Sequence, residues 1–202
     1  MLFFILASKV VAKTIIEFKE LEQRNANDVC EDYQNNFVWE KKPCYVPSGK
    51  TCVYGTQSKE DREMATKRVN FYRQLTGLAT IPQTNSIAYQ NRSDQTALIM
   101  EENKFMNHYL PENLKCWSSE GNWGALGGNL YKYSDYACST DSIESYMRDE
   151  NTFSLGHRRW ILDPPLPQVV TSAAGQYSVL LTTLYMNKAD NPIPKFIAYP
   201  PP

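Results

Sequence analysis

Only two histidines occur among the 202 residues, so any imidazole chemistry falls on His108 and His157. The chain also lacks an excess of charge of either sign, with 21 Lys and Arg against 22 Asp and Glu. Without a basic field there is no counterion release to gather nucleic acid or an anionic membrane. No apolar run reaches the roughly 18 to 20 residues that a bilayer-crossing helix needs. The longest, Leu2 to Ala7, stops at Ser8 and Lys9. Neither a GxSxG elbow nor an HExxH pair is present, which removes the common serine-hydrolase and zinc-protease signatures. The cysteines never take CxxC spacing, so neither a zinc ribbon nor a redox dithiol is indicated. The stretch Ser48 to Thr51, SGKT, has the ending of a phosphate-binding loop, but the first glycine of that loop would fall on Cys44. Without it the backbone amides cannot wrap a phosphate.

What is present is enough for one main globular core: 42% of residues are hydrophobic and 12% aromatic. The start, MLFFILASKVVAK, resembles a short secretory h-region, with Val10 and Ala12 as small residues before Lys13, although it has no positive n-region. The other reading of the same residues is an apolar N-terminal strand or helix. The organisation expected is therefore a signal peptide over 1–12, a cysteine-bearing extension over 13–57 and the main domain over 58–202. Five cysteines suit an oxidising, extracellular compartment and leave one thiol over, or paired with another chain. Cys116 and Cys138 share the domain, which suggests a bridge between them, although spacing does not fix connectivity. Asn91-Arg92-Ser93 is an N-glycosylation sequon that matters only on an exported chain, and is otherwise a chance match on a helix face.

Ser58 and Asp61 have capping-box spacing, and Ala65, Val69, Tyr72 and Leu75 then form one helical stripe ending at Gly77. A second helix is predicted from about Ser86 to Phe105, stopping just before His108. The segment Pro111 to Tyr136, rich in Gly, Asn, Ser and aromatics, reads as a long irregular loop. Asp141 with Glu144 would cap a short helix whose inner face carries Ile143, Tyr146 and Met147. Alternation in LGHRRWIL suggests an extended segment with His157, Arg159 and Ile161 on one side and Arg158 and Trp160 on the other. On such a segment at most one of the two arginines shares the histidine's face. Tyr177 to Met186 is a buried strand candidate, and FIAYP is a shorter one. Helices followed by strands give an α+β domain.

His108 and His157 each sit where a predicted regular element meets an irregular one. No local spacing marks them as metal ligands, and a lone histidine commonly serves as a hydrogen-bonded structural residue. Asp149 and Glu150 lie shortly before His157 and are close enough in the chain to orient its ring through a carboxylate. Two imidazoles brought together could hold a divalent metal such as zinc, or act as acid and base around a bound water.

A set of ordered stretches carries a further signal: VNFYRQLTGL at Val69, MNH ending at His108, GGNLY at Gly127, SIESYMRDE at Ser142 and GHRRWILDP at Gly156. Together they resemble the CAP superfamily of cysteine-rich secretory, antigen 5 and pathogenesis-related proteins, whose domain is called SCP-like. The likeness is to a branch whose last motif reads GHRRW in place of GHY, and it covers roughly residues 67 to 200. It implies a three-layer α-β-α sandwich, secretion, and a central cleft lined by two histidines and two acidic residues that take up a divalent metal in some members. On this resemblance His108 and His157 match the two histidines, and Asp149 matches the helix glutamate, with Tyr146 in the position of a tryptophan. Asn129, Tyr146, Asp149, Glu150 and Arg159 are then expected to line the cleft. The chain departs from the pattern at Gly128, where GENL reads GGNL and a glutamate is expected. A site without that carboxylate would hold a cation less tightly, and Glu120 is the loop residue that could approach in its place.

The function expected is that of a secreted protein binding a lipid or sterol, a peptide or an extracellular protein in this cleft, with no cofactor required. An enzymatic role is not expected, because no recognisable nucleophile is present. The rival from the enzyme class is a metal-assisted hydrolase using His108 and His157. A third reading is a structural or matrix protein stapled through its cysteines. The oligomeric state stays open.

Overall fold

The computed structural model describes residues 25–37, 43–150, 153–182 and 197. The expected signal segment, the end of the Tyr177–Met186 run and all of FIAYP except Ile197 lie outside them.

The architecture is α+β. Helix α1 (Ala26–Asn36) begins at a reciprocal capping box, in which the Asn25 side chain takes the Asn27 and Asp28 amides and Asp28 takes the Asn25 amide. It docks where the Arg68 guanidinium lies over the Phe37 ring, 3.8 Å from the centroid, and donates to the Asn36 carbonyl. A short hairpin, β1 (Tyr45–Val46) with β2 (Thr56–Gln57), leads into α2 (Lys59–Leu75) and α3 (Ile87–Asn103). Both long helices have the serine caps their sequences announce: Ser58 Oγ accepts from the Asp61 amide at 3.0 Å and Ser86 Oγ from the Tyr89 amide at 3.4 Å. Then come α4 (Ser119–Leu126), β3 (Gly128–Lys132), α5 (Ser139–Arg148), α6 (Gly156–Ile161), β4 (Val170–Ala174) and β5 (Tyr177–Leu181).

Strands β3, β5 and β4 form an antiparallel sheet in that order, with Gly128 opposite Leu181 and Val170 opposite Leu181. All of β4 and β5 is buried, because helices cover both faces of the sheet. Successive β5 residues divide accordingly. Tyr177, Val179 and Leu181 join one core with Ala97, Ile99 and Met100 of α3 and Ala125 of α4. Leu180 joins the other, with Val69 and Tyr72 of α2, Ile143, Tyr146 and Met147 of α5, and Ile161 of α6. This is the period-two alternation of a strand between two layers, and it makes the molecule a three-layer α-β-α sandwich. Each fully buried Ile or Leu here contributes about 2 kcal/mol of transfer free energy. The fully buried Arg73 ties the second layer together by donating to the carbonyls of Ala79, Ile161, Asp163 and Pro164. Burial lowers its pKa to about 10, so it remains charged at neutral pH.

Five expectations are corrected. GHRRWI is a helix and not an extended segment: the Arg159 amide bonds the Leu155 carbonyl and the Leu162 amide the Arg158 carbonyl, each at 3.0 Å. Pro111 to Tyr136 is not one long loop, since it contains α4 and β3. Its glycines serve close packing, because a Cβ on Gly121 would meet Ile99 Cδ1 at 2.3 Å and one on Gly124 would meet Thr96 Oγ1 at 2.3 Å. Asp61 does not complete a capping box with Ser58. Its carboxylate accepts from the amides of Ser139 (2.9 Å) and Thr140 (3.0 Å), capping α5 from across the fold. That replaces the cap expected from Asp141 and Glu144. Finally, Cys116 and Cys138 are not bonded to each other; the disulfides are Cys44–Cys138 and Cys52–Cys116, with Cys30 exposed on α1 and outside both. The pairing follows from the hairpin, whose Tyr45 is buried in the core beside α3, so residues 44 and 52 arrive next to the ends of α5 and the loop before α4.

Candidate functional site

His108 follows the end of α3, where Lys104 takes a left-handed conformation and turns the chain. The loop is then pinned to α4: the Leu110 amide donates to Asn122 Oδ1 at 2.8 Å and Trp117 Nε1 to the Leu110 carbonyl at 2.8 Å. So held, His108 Nδ1 lies 2.8 Å from the Ala125 carbonyl oxygen. A carbonyl can only accept, so Nδ1 carries the proton and the neutral ring has its lone pair on Nε2.

His157 is the second residue of α6. Its Nδ1 lies 2.8 Å from Asp149 Oδ1, and the same carboxylate accepts the Arg158 amide through Oδ2 at 3.2 Å. The Asp149 side chain is completely buried, at the left-handed end of α5. An ionised carboxylate also only accepts, so this ring too is an Nδ1–H tautomer with Nε2 left for other partners. Arg158 donates to the Met147 and Arg148 carbonyls, closing the C-terminus of α5 and fixing α6 beside it. Asn129 Nδ2 holds the His157 carbonyl at 3.0 Å, and the Tyr146 ring lies 5.4 Å from the imidazole, centroid to centroid. The Tyr146 hydroxyl donates to the Asn129 carbonyl at 3.0 Å. Its pKa is pushed far up by burial, so it acts as a neutral donor.

The two histidines open onto one cleft of about 230 Å³. His108, Leu126, Gly127 and Gly128 line it from the α4–β3 side, Ser154, Gly156, His157 and Trp160 from the α6 side, and Asn129 and Thr182 from the sheet. Of the residues expected at the cleft, the structure brings together His108, His157 and Asn129. Asp149 and Tyr146 are buried behind His157, where they orient the ring without facing the cavity. Glu150 is exposed, and so is Arg159, which lines a second cavity of about 510 Å³ on the other side of α6 with Leu155, Leu162, Asp163, Pro164 and Ile197. Glu120 is held by Arg92 Nε at 2.5 Å on α4.

No family model and no curated protein matches the sequence. Among solved structures the chain is similar to an extracellular protein containing an SCP domain from Bacillus anthracis str. Ames, with a TM-score of 0.45 and 10% identity. The match covers 64% of this chain and 45% of that protein, so it spans less than half of the latter's length.

A side chain at Gly128, where the resemblance expects a glutamate, would be tightly crowded. A Cβ on it would lie 3.0 Å from the Gly124 carbonyl oxygen, 3.1 Å from that of Leu180 and 3.2 Å from Val179 Cγ1. His108 and His157 both line this cleft. Among the described residues the one cluster of three close ligand atoms is Cys44, Asp61 and Cys138, away from the histidines. That cluster is no metal centre, since its sulfurs are joined in a disulfide and its carboxylate is bonded to amides and hydroxyls. Neither histidine belongs to such a cluster; Asp149 and the Ala125 carbonyl lie behind the two rings, each bonded at Nδ1. Sequence reasoning missed the Ala125 carbonyl, which has no side-chain signature, and also Ser154 and Thr182. Trp160, which the alternation put on the face away from His157, lines both cavities. The polar pair ending the apolar run YSVLL was the available signal for Thr182.

Proposed function

We propose that this chain is an extracellular protein of the SCP-like type that works by binding an amphipathic lipid or sterol. The carrying observation is the adjacency of two cavities on α6. Trp160 and Gly156 line both the cleft of about 230 Å³ that holds the imidazoles and the cavity of about 510 Å³ that carries Leu155, Leu162 and Pro164. The larger volume is within the usual range of small-ligand sites, where apolar walls supply affinity and a few fixed polar groups supply orientation. A lipid whose polar end meets His108 and His157 and whose apolar part lies against Trp160 satisfies both. Two disulfides among the described residues, and the order of the five sequence stretches, support export. Among the described residues no helix is long and apolar enough to cross a membrane.

A second reading is favoured by one contact, the buried Asp149 behind His157 Nδ1, which is how a general base is held in its working tautomer. If the cleft took up a divalent metal, His108 and His157 would hold it, and the ion would supply charge stabilisation for a polarised carbonyl. One experiment separates the two. The purified protein is titrated with a panel of fluorescent fatty acids and sterols, and incubated with activated esters of the same chain lengths. The binding reading expects saturable uptake that Trp160→Ala weakens about tenfold or more, with no ester turnover. An absence of uptake across the panel overturns it, and turnover abolished by His157→Ala establishes the hydrolase in its place.

A further inference from the structure

The sequon Asn91-Arg92-Ser93 falls near the start of α3, where the two residues its chemistry requires are treated oppositely by the fold. Asn91 is exposed. Ser93 is completely buried, and its hydroxyl has no hydrogen-bond partner among the described residues. A buried hydroxyl without a partner is a cost to folding, and alanine would occupy the same helical position without it and with better helix propensity. The fold thus makes no use of the Ser93 hydroxyl, whereas sequon recognition requires it, and requires it on a chain that has not yet folded.

The surface beside Asn91 is apolar and open. Ile87, one turn earlier on the same helical face, is 87% exposed, and Ala88 beside it is exposed as well. Asn91 stands twelve residues before the end of α3, about 18 Å along the axis from the end that leads to His108. A sugar on this residue leaves the histidine cleft open.

We infer that Asn91 is an N-glycosylation site whose first sugar covers the Ile87 and Ala88 surface. The inference rests on the extracellular reading above. Chemically, Asn91 Nδ2 attacks the anomeric carbon of an oligosaccharide carried on a polyisoprenyl diphosphate. The N–C bond forms, the C–O bond to phosphate breaks, the polyisoprenyl diphosphate departs and the amide loses one proton. Because transfer precedes folding, burial of Ser93 in the finished protein is no obstacle; what the fold must do is leave Asn91 outside, and it does.

The test expresses the full chain behind an added cleavable secretion signal in cultured eukaryotic cells, so that export is imposed and the chain's own export is not what is measured. Wild-type protein from the medium is expected to lose one glycan on peptide N-glycanase treatment, with Asn91 converted to Asp in the peptide map. Asn91→Gln and Ser93→Ala are each expected to run at the deglycosylated position. The Ser93→Ala chain should also melt no lower than enzymatically deglycosylated wild type, as an unused hydroxyl requires. A secreted wild-type chain with unmodified Asn91 overturns the inference, and so does a glycan that survives Asn91→Gln. A chain that is glycosylated here but takes up no lipid leaves this site standing and removes the binding reading alone.

Discussion

Replacing Asp149 tests the site at the point where it is most constrained. The carboxylate holds His157 Nδ1 at 2.8 Å and the Arg158 amide at 3.2 Å from a completely buried position, on a backbone with φ of 51°. Asp149→Ala removes one charge-assisted hydrogen bond, about 2 kcal/mol, and leaves the Arg158 amide without its acceptor, about 1 kcal/mol. It also places alanine in the left-handed region, where aspartate is better tolerated, for about 1 kcal/mol more. The sum, about 4 kcal/mol, corresponds to a fall of roughly 8–16 °C in Tm for a domain of this size, read by calorimetry with disulfides intact. Asp149→Asn is more informative, because it keeps the backbone preference but presents one acceptor and one donor. With the amide nitrogen facing His157, the ring must accept at Nδ1 and move its proton to Nε2. The asparagine variant should therefore melt within about 2 kcal/mol of wild type yet show the opposite imidazole tautomer in long-range nitrogen NMR. An alanine variant within about 1 kcal/mol of wild type, or an asparagine variant that keeps the Nδ1–H form, refutes the reasoning.

Two more outcomes follow from the same geometry. Gly128→Glu should destabilise by about 2–4 kcal/mol through crowding against Gly124, Leu180 and Val179. Calorimetric zinc titration of that variant should show no gain in affinity. Mass mapping without reduction should find Cys44 linked to Cys138 and Cys52 to Cys116, with Cys30 taking the alkylating reagent, and the double replacement Cys44→Ser with Cys138→Ser should cost about 4 kcal/mol in denaturant melts.

How much of this was legible depended on the range of the interaction concerned. The two long helices have their cap, stripe and stop within one window, and Ser58, Ser86 and Gly77 mark their ends in both sequence and structure. Helix α6 has six residues, fewer than two turns, and over so short a span strand alternation and a helical face select nearly the same apolar residues. Ile161 is buried either way, so its burial could not decide between them. The glycines of Pro111 to Tyr136 mark turns in most contexts; here Gly121 and Gly124 let α4 approach α3, which depends on Ile99 and Thr96 more than twenty positions away. Disulfide pairing and the Asp61 cap on α5 are likewise long-range, Cys44 and Cys138 being 94 positions apart. The histidines, by contrast, were legible through scarcity, and Asp149 through its nearness to His157 in the chain.

Register explains why the cleft keeps its shape without a second acidic residue. Gly128 opposes Leu181 across β3 and β5, and Thr182, the next residue, donates its amide to the Gly127 carbonyl at 2.9 Å. With the strands locked in this register, Gly128 directs its missing side chain toward α4, and Asn129 directs its own toward α6, where it grips the His157 carbonyl. A one-residue slip would exchange those faces, bury the Asn129 amide against Val179, and free the backbone of His157. The residue that positions the second histidine and the closely packed Gly128 are thus neighbours on one strand, held by the same register. The Asp149 carboxylate meets the imidazole from behind, and the cleft itself is lined by imidazole, amide, hydroxyl, indole and leucine side chains. That is a lining suited to holding a ligand's polar end in place, since it presents no carboxylate to repel an anionic headgroup.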